Sequence, residues 1–298
     1  MDDERGEDGH LPGIERRDVV VNGVRLHVVQ AGPVDGPIVI LLHGFPEFWF
    51  GWRHQIRPLI EAGYRVWVPD QRGYNRSEKP AGVEAYAYEH LVADVVGLID
   101  ATGRDRVALV GHDWGAGVAW WTAEMHPDRV ERLVAINHPY RIVMNEFYRH
   151  DRRQLLRGWY VFFFQVPALP ELLFGASNGW LLARGVRATG RPDAFPEEDM
   201  RRYRLAWSRP NALTSMLNLY RAALRYPPTP PDRSGVEPPT LVIWGENDVF
   251  FLEEMAHESM DYCDDGRLVV VDGATHWVHH EEPDRVNELV LEFLETEP

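Results

Sequence analysis

Val-Gly-His-Asp-Trp-Gly-Ala, residues 110–116, is the stretch on which the reading of this chain turns. An apolar, β-rich run at 106–110 leads into it and a helix-like run at 116–125 leads out. Between them the chain must reverse within a few residues, and Gly111 and Gly115 sit where a side chain would obstruct that turn. The layout is that of a nucleophile elbow, G-x-S-x-G, with Asp113 in the place of serine. An elbow holds its central residue at unusual backbone angles above the C-terminal edge of a sheet, a strain tolerated where a side chain is presented to a substrate. An ordinary strand–turn–helix link with a surface aspartate has the same local pattern, so the remainder of the chain has to decide.

Working outward, Ile38–Leu42 is a continuous apolar run without alternation, as expected of a strand buried on both faces. The runs at 65–68 and 107–110 share that character, and Val130–Ile136 supplies another strand. Between two of them, 88–99 carries Leu91, Val92, Val95, Val96 and Ile99 at helical spacing. Upstream, 19–21 and 24–30 are joined by Asn22-Gly23, a strong hairpin signal. The alternation of strand and helix predicts an α/β fold with a mostly parallel, eight-stranded sheet flanked by helices. The rhythm stops at 139–230, which reads as helical and holds 15 of the 34 Phe, Trp and Tyr residues. Such residues build a small helical core, and they also suit a cap (lid) walling an apolar pocket. Pro227, Pro228, Pro230, Pro231, Pro238 and Pro239 mark a stiff return to the core. Strand rhythm resumes at 240–244 and 267–271, and 283–294 reads as a closing helix. The expected organisation is a disordered acidic tail at 1–17, a core at 18–138 and 231–298, and a helical cap at 139–230.

The 298 residues carry a net charge of −15 and 45% hydrophobic residues. Treated as uniformly acidic, such a chain repels phosphate backbones and anionic lipid, so neither nucleic acid nor membrane is an expected partner. Cys263 is the single cysteine, which excludes an intrachain disulfide and a cysteine-rich metal cluster. The N-terminal stretch has no signal-peptide pattern, and the apolar region at 159–174 is interrupted and short, so a cytoplasmic location is expected.

Three further placements complete a constellation. His43-Gly44-Phe45-Pro46 follows Ile38–Leu42, and an elbow needs a second backbone donor from that loop, so Phe45 and Trp114 are the candidate oxyanion-hole N–H groups. Asp248, in Trp244-Gly245-Glu246-Asn247-Asp248, follows a buried strand. His276, in Gly273-Ala274-Thr275-His276-Trp277, follows the last one. The order nucleophile, acid, histidine, each at a strand's C-terminal end, is what this architecture requires. Glu246 is a rival acid, with Asp248 preferred by placement. His279 and His280 invite a metal reading, but no carboxylate or cysteine stands at a ligand spacing from them, so no metal and no cofactor is expected.

At this point the sequence resembles the epoxide hydrolases of the α/β-hydrolase fold, over residues 18–298. The resemblance rests on His43-Gly44-Phe45-Pro46-Glu47 with Trp49 and Trp52 behind it, Asp70-Gln71-Arg72-Gly73-Tyr74, Gly111-His112-Asp113-Trp114-Gly115, Gly245-Glu246-Asn247-Asp248 and His276-Trp277. It implies a cis Phe45–Pro46 bond. It also implies two cap tyrosines that hold the epoxide oxygen: Tyr160, ahead of the segment containing Phe164-Gln165-Val166-Pro167, and Tyr220, after Asn218. His43, Pro46, Trp49, Phe164 and Trp277 are the expected pocket residues. The related haloalkane and fluoroacetate dehalogenases also use an elbow aspartate. They depart at Phe45, where the former usually carry a halide-binding residue, and at Trp114 and Tyr160, where the latter carry Arg and Trp.

The chemistry follows from these groups. A carboxylate attacks an amide poorly but displaces at saturated carbon, and a strained epoxide needs only stabilisation of its departing alkoxide. Two phenols can supply that. Asp113 then becomes an alkyl ester, and His276, oriented by Asp248, activates water against it. The expected substrate is a small apolar epoxide with water, on a monomer or homodimer. Hydrolytic dehalogenation and a non-catalytic small-ligand receptor remain the other readings.

Overall fold

The computed structural model describes residues 13–296. Among them, eight strands form one sheet in the order β1-β2-β4-β3-β5-β6-β7-β8. They are β1 (Glu15–Val21), β2 (Val24–Ala31), β3 (Ile38–Leu42), β4 (Arg65–Pro69), β5 (Val107–His112), β6 (Val130–Ile136), β7 (Thr240–Gly245) and β8 (Gly266–Val271). β1 and β2 run antiparallel, and every pair from β4 through β8 is parallel. Most of the expected tail lies outside the described residues. Its last three, Glu15 to Arg17, are a correction: they belong to β1 and pair with Gln30, Val29 and Val28. A terminus that gains ladder hydrogen bonds is tied down. Asn22 and Gly23, at φ 47° and 72°, close the β1–β2 hairpin, as the mirror-image turn between twisted strands demands.

The core helices are α1 (Arg53–Glu61), α2 (Tyr88–Thr102) and α3 (Trp114–Met125). Seven helices then intervene between β6 and β7: α4 (Arg141–His150), α5 (Arg152–Arg157), α6 (Trp159–Phe163), α7 (Leu169–Ala176), α8 (Trp180–Thr189), α9 (Glu197–Trp207) and α10 (Ala212–Arg225). The chain finishes with α11 (Glu253–Ser259), α12 (Val278–Glu281) and α13 (Pro283–Glu295). β3, β4, β5 and β7 are buried at every position, which is why they read as unbroken apolar runs.

The strand order positions the site. β3 connects in sequence to β4 on one side but pairs with β5 on the other, in the register Leu42↔Gly111. The loops after β3 and β5 therefore leave the sheet side by side at a topological switch point, where α/β folds open a crevice. No helix of the described residues is long and apolar enough to cross a membrane.

Candidate active site

Asp113 lies in the turn between β5 and α3 at φ 49°, ψ −123°, a strained conformation for a residue with a side chain. Two close approaches force the turn. A Cβ on Gly111 would fall 2.5 Å from the Gly115 carbonyl oxygen, and one on Gly115 would fall 2.0 Å from the Leu42 carbonyl oxygen of β3. The elbow can only sit this tightly on the sheet with glycine at both places.

The Phe45 N–H donates to Asp113 Oδ2 at 2.9 Å, and the Phe45–Pro46 bond is cis. His276 Nε2 lies 3.8 Å from Asp113 Oδ1, while His276 Nδ1 and Asp248 Oδ2 are 2.8 Å apart. Asp248 Oδ1 accepts the N–H groups of Phe250 (2.7 Å) and Phe251 (3.1 Å). Burial disfavours the Asp248 charge, yet His276, Asn137 and these N–H groups outweigh it and hold the pKa below the ordinary carboxylate value. Burial likewise disfavours a charged His276, and Asp248, with Asp113 and Glu47 beyond it, raises its pKa above 6.5 nonetheless. Glu246, the rival acid, instead accepts the exposed Gly273 N–H at 2.8 Å.

Tyr160 on α6 and Tyr220 on α10 stand with ring centroids 5.9 Å apart, and Tyr220 packs edge-on against Phe45 and Trp114. Burial first, and nearby acidic groups second, push both phenols well above their ordinary pKa, so each retains its proton as a donor. Gln165 couples the two helices. Its side-chain amide donates to the Val161 carbonyl (3.2 Å) and to the Tyr220 carbonyl (3.0 Å).

Two cavities meet at this group. One, of about 730 Å³, is lined by Phe45, Pro46, Phe164, His276 and Trp277; the other, of about 410 Å³, by Tyr88, Trp114, His138 and Tyr148. Asp113, Tyr160 and Tyr220 line both. His43 and Trp49 do not, which corrects their expected place in the pocket. The His43 ring is consumed by backbone contacts, Nε2 accepting from the Gln71 N–H at 3.1 Å and Nδ1 lying 3.0 Å from the Gly44 carbonyl oxygen. Trp49 is fully buried in the core, its backbone N–H donating to Asp70 Oδ1 at 3.0 Å. Both hold up the loops behind the site.

Several contributors escaped the reading of the sequence. Asn137, at φ 47°, donates to Asp248 Oδ2 at 2.6 Å and accepts from the Gly245 N–H at 3.2 Å, fixing the acid from the end of β6. Arg157 on α5 donates to the carbonyls of Asp248 and Phe251, both at 2.7 Å. Phe250 packs on His276 at 4.8 Å and on Tyr160 at 5.4 Å.

The expectation that no carboxylate partners His279 and His280 is also corrected. Glu47, more than two hundred residues away in the chain, is buried against them, with ligand-type atoms of all three within 4.8 Å of one another. The His280 Nε2–Glu47 Oε1 separation is 2.7 Å and the Tyr203 hydroxyl donates to the same oxygen at 2.8 Å. Two donors sharing one metal ion stand roughly 3.4 Å apart at ordinary zinc–ligand lengths. The 2.7 Å contact fits a hydrogen bond, while His279 Nε2 lies 3.4 Å from Glu47 Oε2.

With the geometry in hand, the comparisons agree on a family. The α/β hydrolase fold family matches residues 37–283. The chain is 43% identical over 287 residues to the AB hydrolase superfamily protein YfhM of Bacillus subtilis, covering 96% of this chain and 100% of that protein. It is 36% identical to epoxide hydrolase A of Mycobacterium tuberculosis, covering 93% and 96% respectively. Among solved structures, a Bacillus megaterium epoxide hydrolase in complex with an inhibitor superposes with a TM-score of 0.86 at 32% identity, covering 94% of this chain and all of that one. The chain thus belongs to the α/β hydrolase fold family and, within it, to the epoxide hydrolases, hydrolases acting on ether bonds.

Proposed function

We propose that the chain opens apolar epoxides to vicinal diols through a covalent ester on Asp113. The observation that carries this reading is the meeting of Asp113, Tyr160 and Tyr220 at the junction of two cavities, with His276 at 3.8 Å. The Phe45 N–H engages Asp113 Oδ2, which leaves Oδ1 free to attack carbon. Tyr160 and Tyr220 donate to the epoxide oxygen as the C–O bond breaks, and one of them passes its proton to the alkoxide. Oδ2 becomes the ester carbonyl oxygen, already beside the Phe45 N–H. Water activated by His276 attacks that carbonyl carbon, and the N–H groups of Phe45 and Trp114 stabilise the oxyanion. Collapse releases the diol, with His276 returning its proton to the leaving oxygen; the proton lost as Asp113 returns to carboxylate restores the tyrosine. In this reading Asp248 orients His276 and supports its transient charge, and the helices within 139–230 act as a cap that encloses the substrate and excludes water. No cofactor takes part.

The test is a panel of aryl and alkyl epoxides assayed for diol, with matched haloalkanes assayed for halide. Diol formation that disappears in Asp113→Ala supports the reading. Halide release without diol formation would make the chain a dehalogenase instead, and saturable binding without turnover would make it a receptor.

A further inference from the structure

The charge of this chain is segregated. Residues 141–225 hold fourteen arginines, no lysine and seven carboxylates, a net of +7, which leaves −22 on the remainder. The helical insertion is thus cationic by count on an acidic protein. Arg141, Arg153 and Arg191 meet carboxylates of the remainder, Glu124, Glu254 and Glu282, while Arg152 on α5 and Arg184 on α8 are exposed, so the negative charge that would keep the chain off lipid is not even. Apolar exposure is segregated as well. Of the sixteen exposed large apolar side chains among the described residues, twelve lie between Leu155 and Leu224. On α7 the exposed positions include Leu169, Leu172 and Leu173, and only Pro170 is buried. A helix that turns leucine to solvent is a surface awaiting cover.

The two features coincide at an opening. Leu156, Trp159, Leu173, Leu181 and Val249, all exposed, line the 730 Å³ cavity that reaches Asp113. Beside that rim on α8, the Arg184 guanidinium lies over the Trp180 ring at 5.5 Å, and both residues face solvent. Tryptophan with arginine around an apolar face is the composition of an element lying in the headgroup layer of a bilayer. Anionic headgroups add attraction for each nearby arginine. A second copy of the chain is the poorer occupant, since a two-fold pairing would press one cationic face against another.

We propose that the α5–α8 face docks on the surface of an anionic phospholipid bilayer, so that the cavity mouth opens toward the acyl layer. An apolar substrate then enters from lipid without crossing water. The route of entry rests on the cavity being the substrate site; the docking does not.

The experiment is flotation of the full chain with phosphatidylcholine vesicles, with and without phosphatidylglycerol, at low and high salt. We expect the protein to float with the anionic vesicles at low salt, to be released by salt, and to ignore pure phosphatidylcholine. Leu172→Ser/Trp180→Ser alters exposed residues that line neither cavity and should cut the bound fraction by about tenfold or more. Its turnover of dissolved epoxide without vesicles should match wild type, an arm that reports on the catalytic reading separately. Failure to float with anionic vesicles at low salt would overturn the proposal. So would sedimentation showing a dimer that the double variant dissolves, which would assign the face to a second copy.

Discussion

His112 Nδ1 and Glu47 Oε2 lie 3.3 Å apart in the interior, while His112 Nε2 donates to the main-chain carbonyl of His276 at 2.9 Å. A carbonyl only accepts, so Nε2 carries a hydrogen, and a neutral imidazole then has none on Nδ1 to offer the carboxylate. The 3.3 Å approach is then a close electrostatic contact and not a hydrogen bond, and neither atom has a hydrogen-bond partner. Burial opposes ionisation of Glu47, but His280, His112 and His279 hold its pKa well below the ordinary range, which keeps a carboxylate charge directly behind His276.

Glu47→Gln should therefore be costly. Glu47 Oε1 binds the Tyr203 hydroxyl and the His280 ring in the interior; leaving a buried polar group unsatisfied costs about 1–3 kcal/mol, and the unfolding midpoint in urea should fall accordingly. Because the folded pKa of Glu47 is depressed, its contribution is complete above the unfolded carboxylate value of 4.5 and disappears as pH falls through the folded value. The gap between wild type and variant should shrink in acid. An unchanged midpoint at neutral pH would show that the cluster does not hold the site together.

The pH dependence of turnover has a defined sign. In the proposed mechanism His276 must be neutral to activate water; burial lowers its pKa, but Asp248 first, with Asp113 and Glu47, raises it above 6.5, and Asp248 and Glu47 keep their charge when Asp113 is an ester. When ester hydrolysis limits turnover, the acid limb of kcat should lie above pH 6.5. Asp248→Asn removes the largest raising influence and should move that limb to lower pH while reducing the plateau. A limb that stays in place in this variant would detach Asp248 from His276.

Much of this was legible in the chain. The elbow, the strand ends bearing Asp248 and His276 and the Asn22-Gly23 hairpin announce themselves because each is set by local sterics. What the sequence concealed depends on distant partners. His43 and Trp49 sit among motif residues, yet they face backbone and core, a direction that no spacing encodes. Asn137 is one more polar residue after a strand until β7 brings Gly245 and Asp248 to it. Glu47 and His279 are far apart in sequence and meet only because the β3 loop and α12 pack together behind the sheet edge. The arginines of 141–225 were countable from the start, but a net charge taken over the whole chain averages them away.

Tyr160→Phe and Tyr220→Phe should each slow ring opening, and the double variant should nearly abolish it. Loss of a positioned acid costs about 10²–10⁴-fold. Single-turnover alkylation of Asp113 is the readout. A double variant alkylating at the wild-type rate would leave the tyrosines with packing alone.

His276→Gln should separate the half-reactions, because Asp113 needs no base to attack carbon whereas water does. The intact protein should gain the mass of one epoxide and keep it. If saturating substrate never adds that mass, His276 acts before the ester forms.

Oxygen tracing separates attack on carbon by an Asp113 oxygen from attack by water. One turnover is run with enzyme in excess in ¹⁸O water, and mass spectrometry reads both the diol and the peptide containing Asp113. With Asp113 as nucleophile the diol should be unlabelled and the peptide labelled, since the carboxylate gives its own oxygen to the product and recovers one from solvent. A labelled diol with an unlabelled peptide would mean that water attacks the epoxide directly and that Asp113 is not the nucleophile.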